Sequence, residues 1–331
     1  MVERQKILQD SFGRIHDYLR ISLIERCNLR CFYCMPEEGV SLRPRSEFMR
    51  NEEVLELAEQ FVGLGVKKIR LTGGEPLIRK GIEDIIEGLA KLPVELTLTT
   101  NAVRVNEYVH VFKDADIKQL NVSLDSLDRE RFRSITRRDY FDQVMNNIEL
   151  LLMEGFKVKV NAVLMRGENE DEILDFVRWT EQTDIHIRFI EFMPFDGNKW
   201  NWEKKVSFQE ILDKVTGAYG ADGVVQLPTE KNATARNFRL LNGKGSFGVI
   251  STLTNPFCDS CNRIRLTADG KIKNCLFSNQ EVDLLGPLRS GQSVEPLILE
   301  AIEKKKHARA GIEDFSKYAG HKNRPMITIG G

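Results

Sequence analysis

Along the first two-thirds of the chain, short runs that alternate apolar and polar residues are separated by longer runs in which apolar residues recur every three or four positions. The alternating runs, Leu19–Leu23, Lys67–Thr72, Val94–Thr99, Lys118–Leu124, Lys157–Val163 and Ile185–Ile190, read as β-strands. Between them, Asn51–Leu64, Gly81–Leu92, Phe141–Met153 and Asn169–Glu181 read as amphipathic helices, with Asn51 and Asn169 as N-caps and glutamates in the first turns. Six βα units predict an α/β fold with a parallel sheet, either open and doubly wound or closed into an incomplete barrel.

The two faces of these strands differ. Parallel strands covered on both sides are continuous apolar runs, whereas here one face carries Leu19/Ile21, Ile69/Leu71, Leu96/Leu98, Leu120/Val122, Val158/Val160 and Ile187/Phe189. The other carries Arg20/Ser22, Lys68/Arg70/Thr72, Thr97/Thr99/Asn101, Asn121/Ser123/Asp125, Lys159/Asn161 and His186/Arg188. Side chains alternate with period 2, so the polar set converges on one surface. A closed eight-stranded barrel fills its interior with branched apolar residues; a polar interior predicts an open barrel, an incomplete (β/α)6 TIM-type barrel, around a polar ligand. Arg20, Lys68, Arg70, Lys159 and Arg188 bring cations to that face, and burying them is costly without an anion. Either they are solvated or neutralised by Asp125 and Glu191, or the barrel mouth receives an anion such as a phosphate chain.

Past about residue 195 the pattern changes. Trp200 and Trp202, a helix at Ser207–Thr216, and short runs at Val224–Leu227, Phe238–Leu241 and Ser246–Ile250 come first. A hairpin from Arg263–Thr267 to Lys271–Cys275 and helices Glu281–Arg289 and Pro296–Arg309 follow. These predict a smaller mixed α+β domain, dividing the chain into 1–225 and 226–331. Lys304–Lys306, His307 and Arg309 read as a solvated helix end, and Gly330–Gly331 as a frayed tail or a flexible probe.

Composition narrows the chemistry. The 331 residues carry 48 Lys+Arg and 49 Asp+Glu, a net charge of −1, so no global field draws the protein to nucleic acid or membranes. No window approaches the ~18 apolar residues of a membrane span, and the N-terminus lacks a secretory apolar region, so a cytoplasmic enzyme is expected. Its six cysteines fall into Cys27, Cys31 and Cys34, then Cys258, Cys261 and Cys275. Such clusters in a reducing compartment point to metal, zinc or iron–sulfur. Structural zinc wants four closed ligands, and none of the five histidines adjoins either trio, although His16 or His321 could fold back to complete one. Three thiolates suit a four-iron cluster with one iron left open, so the ligand count favours two open clusters over zinc.

Cys27-Asn-Leu-Arg-Cys31-Phe-Tyr-Cys34 after the first strand and Thr72-Gly-Gly-Glu-Pro76 after the second resemble the radical S-adenosylmethionine (SAM) superfamily. Within it, Lys68-Ile-Arg-Leu-Thr72, Asn121-Val-Ser-Leu-Asp-Ser126, Lys157-Val-Lys-Val-Asn161, Arg188-Phe-Ile-Glu-Phe-Met193, Phe257-Cys-Asp-Ser-Cys-Asn-Arg-Ile-Arg265 and the terminal Gly-Gly are similar to the GTP 3',8-cyclases of molybdenum-cofactor biosynthesis. The resemblance covers essentially the whole chain. Ala102 departs from it, standing where the family has glycine, which bears on the local turn.

The resemblance implies two [4Fe-4S] clusters. SAM completes the first, on Cys27, Cys31 and Cys34; guanine of GTP completes the second, on Cys258, Cys261 and Cys275. Gly74 would approach the SAM amino group, Tyr33 and Met193 its adenine side, and Ser123 its carboxylate or ribose. Arg20, Lys68, Arg70, Thr99, Lys159, Arg188, Arg263 and Arg265 would surround GTP. The implied reaction is removal of the ribose 3' hydrogen by a 5'-deoxyadenosyl radical and attack of C3' on guanine C8, with no side-chain acid, base or nucleophile assigned. The implied partners are an external electron donor, a downstream cyclic pyranopterin monophosphate synthase and a second copy of the chain; Gly330 and Gly331 would reach into the barrel. Two rivals stand beside this reading. One is a peptide-maturing radical SAM enzyme with an auxiliary cluster, against which the short, cation-rich C-terminal segment argues. The other is a zinc-stabilised nucleic-acid-binding module, for which the pI of about 6.6 and 8% aromatic content offer nothing.

Overall fold

A computed structural model describes residues 7–35, 43–315 and 323–330. Its strands are β1 (Tyr18–Ser22), β2 (Lys68–Thr72), β3 (Glu95–Thr100), β4 (Gln119–Ser123), β5 (Lys157–Leu164), β6 (His186–Glu191), β7 (Val224–Gln226), β8 (Arg236–Leu240), β9 (Ser246–Ile250), β10 (Arg263–Leu266), β11 (Lys271–Lys273) and β12 (Val282–Asp283). The helices are α1 (Asn51–Gly63), α2 (Ile82–Ala90), α3 (Val109–Asp114), α4 (Arg129–Thr136), α5 (Phe141–Met153), α6 (Ile173–Gln182), α7 (Phe208–Tyr219), α8 (Leu285–Arg289), α9 (Glu295–Glu303) and α10 (Met326–Ile329).

All the strands join one sheet, in the order β12-β11-β10-β1-β2-β3-β4-β5-β6-β9-β8-β7. From β10 through β1 to β6 and on to β9 every pairing is parallel; the flanking β12-β11 and β8-β7 pairs are antiparallel. The fold is thus a partial TIM-type barrel whose six expected strands are extended on both sides by the C-terminal region. The anticipated division at 225/226 falls inside β7, and the sheet runs on through it.

Outward-facing Leu19, Ile21, Ile69, Leu71, Leu98, Leu120, Val122, Val160, Ile187 and Phe189 are buried beneath Leu57, Phe61, Ile85, Ile148, Leu151, Phe176 and other helix residues in one core. Full burial of such a side chain is worth ~1.5–3 kcal/mol, so the apolar half of the alternation holds the helices on. Among the described residues, no helix is long and apolar enough to cross a membrane.

Several local expectations shift. Asn51 begins α1 but does not cap it; Glu53 bonds the Arg50 backbone instead (2.6 Å), while the Asn51 amide reaches Gly81 O (3.1 Å). Asn169 binds Asp125 O (2.7 Å) and Val163 O (2.9 Å), tying two loops above the barrel. Val282 and Asp283 do not open a helix, because Ile272 and Lys271 offer them a strand edge. α9 ends at Glu303 rather than Arg309.

Candidate functional site

The strand register sets the polar residues in layers inside the barrel. Arg265, Arg20 and Arg70 stand side by side on β10, β1 and β2, with Arg263, Tyr18 and Lys68 one layer nearer the strand starts. Across the barrel, Lys159 lies between Asn121 and His186, and Arg188 opposite Asn161. The five cations expected from the barrel strands therefore share one interior, and Arg263 and Arg265 join them.

Crowding shows in their acidity. Burial, with Arg265 and Arg70 alongside, holds Arg20 well below the usual guanidinium range. Burial and the repulsion of Arg188, Lys68 and Arg70 bring Lys159 down to about 8, and burial with Arg70 brings Arg188 to about 9. The carboxylates that could have neutralised them are engaged elsewhere. Asp125 accepts the Tyr33 hydroxyl (2.6 Å) and Val163 N (2.9 Å), while Glu191 accepts Leu253 N (2.8 Å) and Thr254 N (3.2 Å). Only Lys68 among the lumen lysines has an ion pair at the rim, with Glu95 at 2.6 Å among the described residues. Tyr18 Oη, Arg70 Nε, Thr99 Oγ1, Asn161 Oδ1, Arg188 Nε and Arg263 Nη2 are buried without a hydrogen-bond partner among the described residues. Unmet polar atoms and crowded cations in one cavity fit a polar, polyanionic ligand.

Cys27, Cys31 and Cys34 occupy the loop after β1, at the end of the barrel where the strands finish. That loop is clamped by its neighbour: Gly74 N bonds Ile24 O (2.6 Å) and Glu75 N bonds Arg26 O (2.8 Å). A Cβ on Gly74 would come within 2.2 Å of Arg26 O, so the glycine is required by the cysteine loop's own backbone. The buried Glu75 carboxylate takes Thr100 Oγ1 (2.8 Å) and Asn101 N (2.7 Å), and the Asn101 amide then donates to Cys27 Sγ (3.6 Å). Glu75 and Asn101 are site residues that sequence reasoning missed as such. Burial, with Glu75 near, pushes the Cys27 thiol up to about 11; burial, Cys27 and Asp125 push Cys34 up to about 12. Ser123 closes β4 opposite Asn161, and Met193 packs in a satellite apolar cluster with Phe195 and Ile329.

Cys258 and Cys261 precede β10, and Cys275 follows β11, which runs antiparallel to β10. The second trio therefore sits where the barrel strands begin, about one strand away from the first, ~16 Å for the five residues of β1. Here Lys305 donates to Cys261 Sγ (3.6 Å) and Arg263 O (2.9 Å). Against burial, Lys305 and Arg263 pull the Cys261 thiol down to about 6. The expectation of a solvated Lys304–Lys306 end is corrected at its middle residue: because α9 stops early, the chain turns and Lys305 is only 4% exposed, while Lys304 stays on the surface with Glu300. Cys261 also borders a cleft of about 490 Å3 lined by Arg14, Asp17, Lys67 and Asn232, which opens this trio to the outside.

His16 completes neither trio; it is buried with Nε2 on Asp10 Oδ2 (3.0 Å), and His321 lies outside the described residues. Among the described residues, no three His, Cys, Asp or Glu side chains gather tightly enough to hold a single ion. The trios are open sets of soft donors with no fourth protein ligand among the described residues, which fits a multi-iron group whose corners are spread apart better than zinc.

The chain end is lodged in the lumen. Arg265 donates to Ile329 O (3.2 Å) and to Gly330 O. Gly330 has φ +74, and a Cβ there would meet Thr72 Oγ1 at 2.4 Å and Ser22 Cβ at 3.0 Å. Arg324 anchors the segment by a two-pronged pair with Asp269 (2.9 and 2.7 Å), and the buried Lys273 holds Asn323 (3.0 Å). Gly331 lies outside the described residues.

Residues 21–180 match the Radical SAM superfamily and residues 185–310 match Molybdenum Cofactor Synthesis C. The chain is 47% identical to "GTP 3',8-cyclase, mitochondrial" of Arabidopsis thaliana, over 98% of this chain and 84% of that protein. It is 45% identical to "GTP 3',8-cyclase" of Thermodesulfovibrio yellowstonii, over 98% of this chain and 100% of that one. It is also 48% identical to "Molybdenum cofactor biosynthesis protein 1" of Mus musculus, over 98% of this chain but 51% of that protein, so it spans about half the length of several curated relatives. Among solved structures, Streptococcus suis SuiB bound to S-adenosylmethionine aligns with a TM-score of 0.58 at 17% identity, covering 83% of this chain and 66% of that one. At that identity the likeness speaks for the fold alone.

Proposed function

The chain belongs to the GTP 3',8-cyclase family of the radical SAM superfamily, and from that membership we propose that it converts GTP to 3',8-cyclo-7,8-dihydro-GTP, the first step of molybdenum-cofactor biosynthesis. The observation that carries this reading is the lumen itself: crowded cations and buried polar atoms unmet among the described residues, lying between two three-cysteine sets at opposite ends of one barrel.

On this reading Cys27, Cys31 and Cys34 hold one four-iron cluster with SAM, near Tyr33, Gly74, Ser123 and Met193. Cys258, Cys261 and Cys275 hold another facing GTP. These groups, when bound, supply reductive cleavage of SAM to an adenosyl radical at one end and an open iron for the guanine at the other. The protein's part is placement. Arg20, Lys68, Arg70, Lys159, Arg188, Arg263 and Arg265, with Thr99, match the roughly three to four negative charges of a triphosphate and orient the nucleotide along the barrel. Fixing the ribose between the two ends turns a bimolecular hydrogen transfer into an effectively unimolecular one. The inserted tail and the helix-covered walls keep water from reactive carbon centres.

The functional division then runs 1–225 for the SAM end and 226–331 for the substrate end. The enzyme works as a homodimer in the cytoplasm, with an external electron donor, and passes its product to cyclic pyranopterin monophosphate synthase; nucleic acid and membrane are not partners. Anaerobic reconstitution tests the reading. It predicts about eight irons per chain and formation of 5'-deoxyadenosine that requires GTP and is not supported by ATP. Bound zinc, or SAM cleavage indifferent to GTP, contradicts it.

A further inference from the structure

Lysine is almost never fully buried unless it is paired, yet Lys305 is only 4% exposed. Its amino group donates to the Arg263 carbonyl at 2.9 Å and to Cys261 Sγ at 3.6 Å. A buried amino group needs polar partners, and here the Cys261 sulfur and the Arg263 carbonyl supply them.

The segment that carries Lys305 is locked to the cysteine loop. Arg14 donates to Cys258 O (2.7 Å), His307 O (2.5 Å) and Lys306 O (3.1 Å), and is itself held by Asp10 (2.7 Å). The backbone N–H of Arg309 bonds Cys258 as well. The turn after α9 therefore brings donors to two of the three cysteines. Among the described residues, the donors on the first trio's sulfurs are neutral, the Asn101 amide (3.6 Å) and Leu29 N (3.4 Å) on Cys27, while the Arg30 guanidinium reaches the Cys27 carbonyl instead of a sulfur.

We propose that Lys305 is a positioning residue for the second trio: its buried side chain, donating to the Cys261 sulfur and the Arg263 carbonyl, fixes that ligand and raises the reduction potential of the iron group bound there, leaving the first trio's group unaffected. The inference rests on the reading above that this trio holds an iron–sulfur cluster. Its physical basis is that hydrogen bonds to cluster sulfurs and nearby positive charge both favour the more negative, reduced state.

The test uses the full-length chain carrying Cys27→Ala, Cys31→Ala and Cys34→Ala, reconstituted so that only the second cluster can form, and followed by EPR during a reductive titration. At the potential where this protein is half reduced, adding Lys305→Met lowers the reduced-to-oxidised ratio about tenfold, or ~59 mV for a one-electron couple, and Lys305→Arg restores most of it. If Lys305→Met fails to retain iron, Lys305→Gln, which keeps a donor without its charge, carries the same measurement. In the converse background, with Cys258, Cys261 and Cys275 replaced by alanine, Lys305→Met leaves the first cluster's midpoint in place. An unchanged second midpoint at full iron content, or an equal shift in both clusters, overturns the inference alone. A parent protein that binds no iron at the second trio overturns the cluster reading and this inference with it.

Discussion

At the end of the barrel where the strands finish, Cys27, Cys31 and Cys34 lie among carboxylates: Asp125 and Glu75 add to burial in pushing these thiols up. At the end where the strands begin, the same number of cysteines lies among cations, and Lys305 and Arg263 draw Cys261 down to about 6. Equal numbers of thiols thus meet different neighbours, carboxylates at the first trio and the cations Lys305 and Arg263 at Cys261 of the second. On the proposed function, SAM is a sulfonium cation and GTP a polyanion, and these neighbours would suit each end to a different ligand. The lumen grades from one to the other, with Arg265 between the second trio and the tail carbonyl of Gly330.

The largest effects break one end at a time. Cys31→Ala should abolish SAM cleavage, whereas Cys261→Ala should leave SAM binding intact and abolish GTP cyclisation; each should lower the iron count from about eight to about four per chain. Deleting Gly330 and Gly331 should abolish cyclisation with both clusters retained, as product analysis beside an iron assay would show; full activity after truncation would remove the tail from the site. Arg265→Ala loses a charge-assisted donor worth ~1.5–3 kcal/mol, so kcat/KM for GTP should fall about 10- to 100-fold while SAM affinity, measured by equilibrium dialysis, stays put.

A smaller effect comes from the crowding of the cations. Lys159 is held at about 8 in the fold, against ~10.4 in the unfolded chain. Between those values the unfolded chain binds the extra proton, so the contribution of Lys159 to the ligand-free protein's stability should rise from pH 8 towards 10, against the opposite contribution of the raised thiols. The parent's urea midpoint should therefore gain on that of Lys159→Met across this window, and a constant difference between the two would contradict it. The smallest effect lies beside the first trio. Ala102 is buried at φ +62; Ala102→Gly relieves ~1–2 kcal/mol of left-handed strain but loses ~0.4–1 kcal/mol to unfolded-state entropy. A thermal midpoint equal to or slightly above the parent's is expected, and a clear drop would show that the Ala102 methyl group holds the turn.

The sheet's polar interior was legible because period-2 alternation survives any error in strand ends: Arg20, Arg70, Lys159 and Arg188 face the lumen whichever residue begins each strand. Both trios were legible from spacing. The two flanking parallel strands were not, since β9 and β10 find β6 and β1 by pairing across about 60 and 245 residues, which no local pattern reports. Lys305 was hidden for another reason: in sequence it is one of three lysines at a helix end, and only the early stop of α9 turns it inward. Asn101 likewise reads as one more polar residue of the lumen face until Glu75 is seen to hold its backbone and Cys27 to receive its amide.

The most direct test of opposite ends for opposite charges is EPR of the fully reconstituted, reduced protein titrated separately with SAM and with GTP. The account predicts that SAM alters only the signal that Cys31→Ala removes, and that GTP alters only the signal that Cys261→Ala removes. A GTP-induced change in the first cluster's signal with the second unmoved would contradict it.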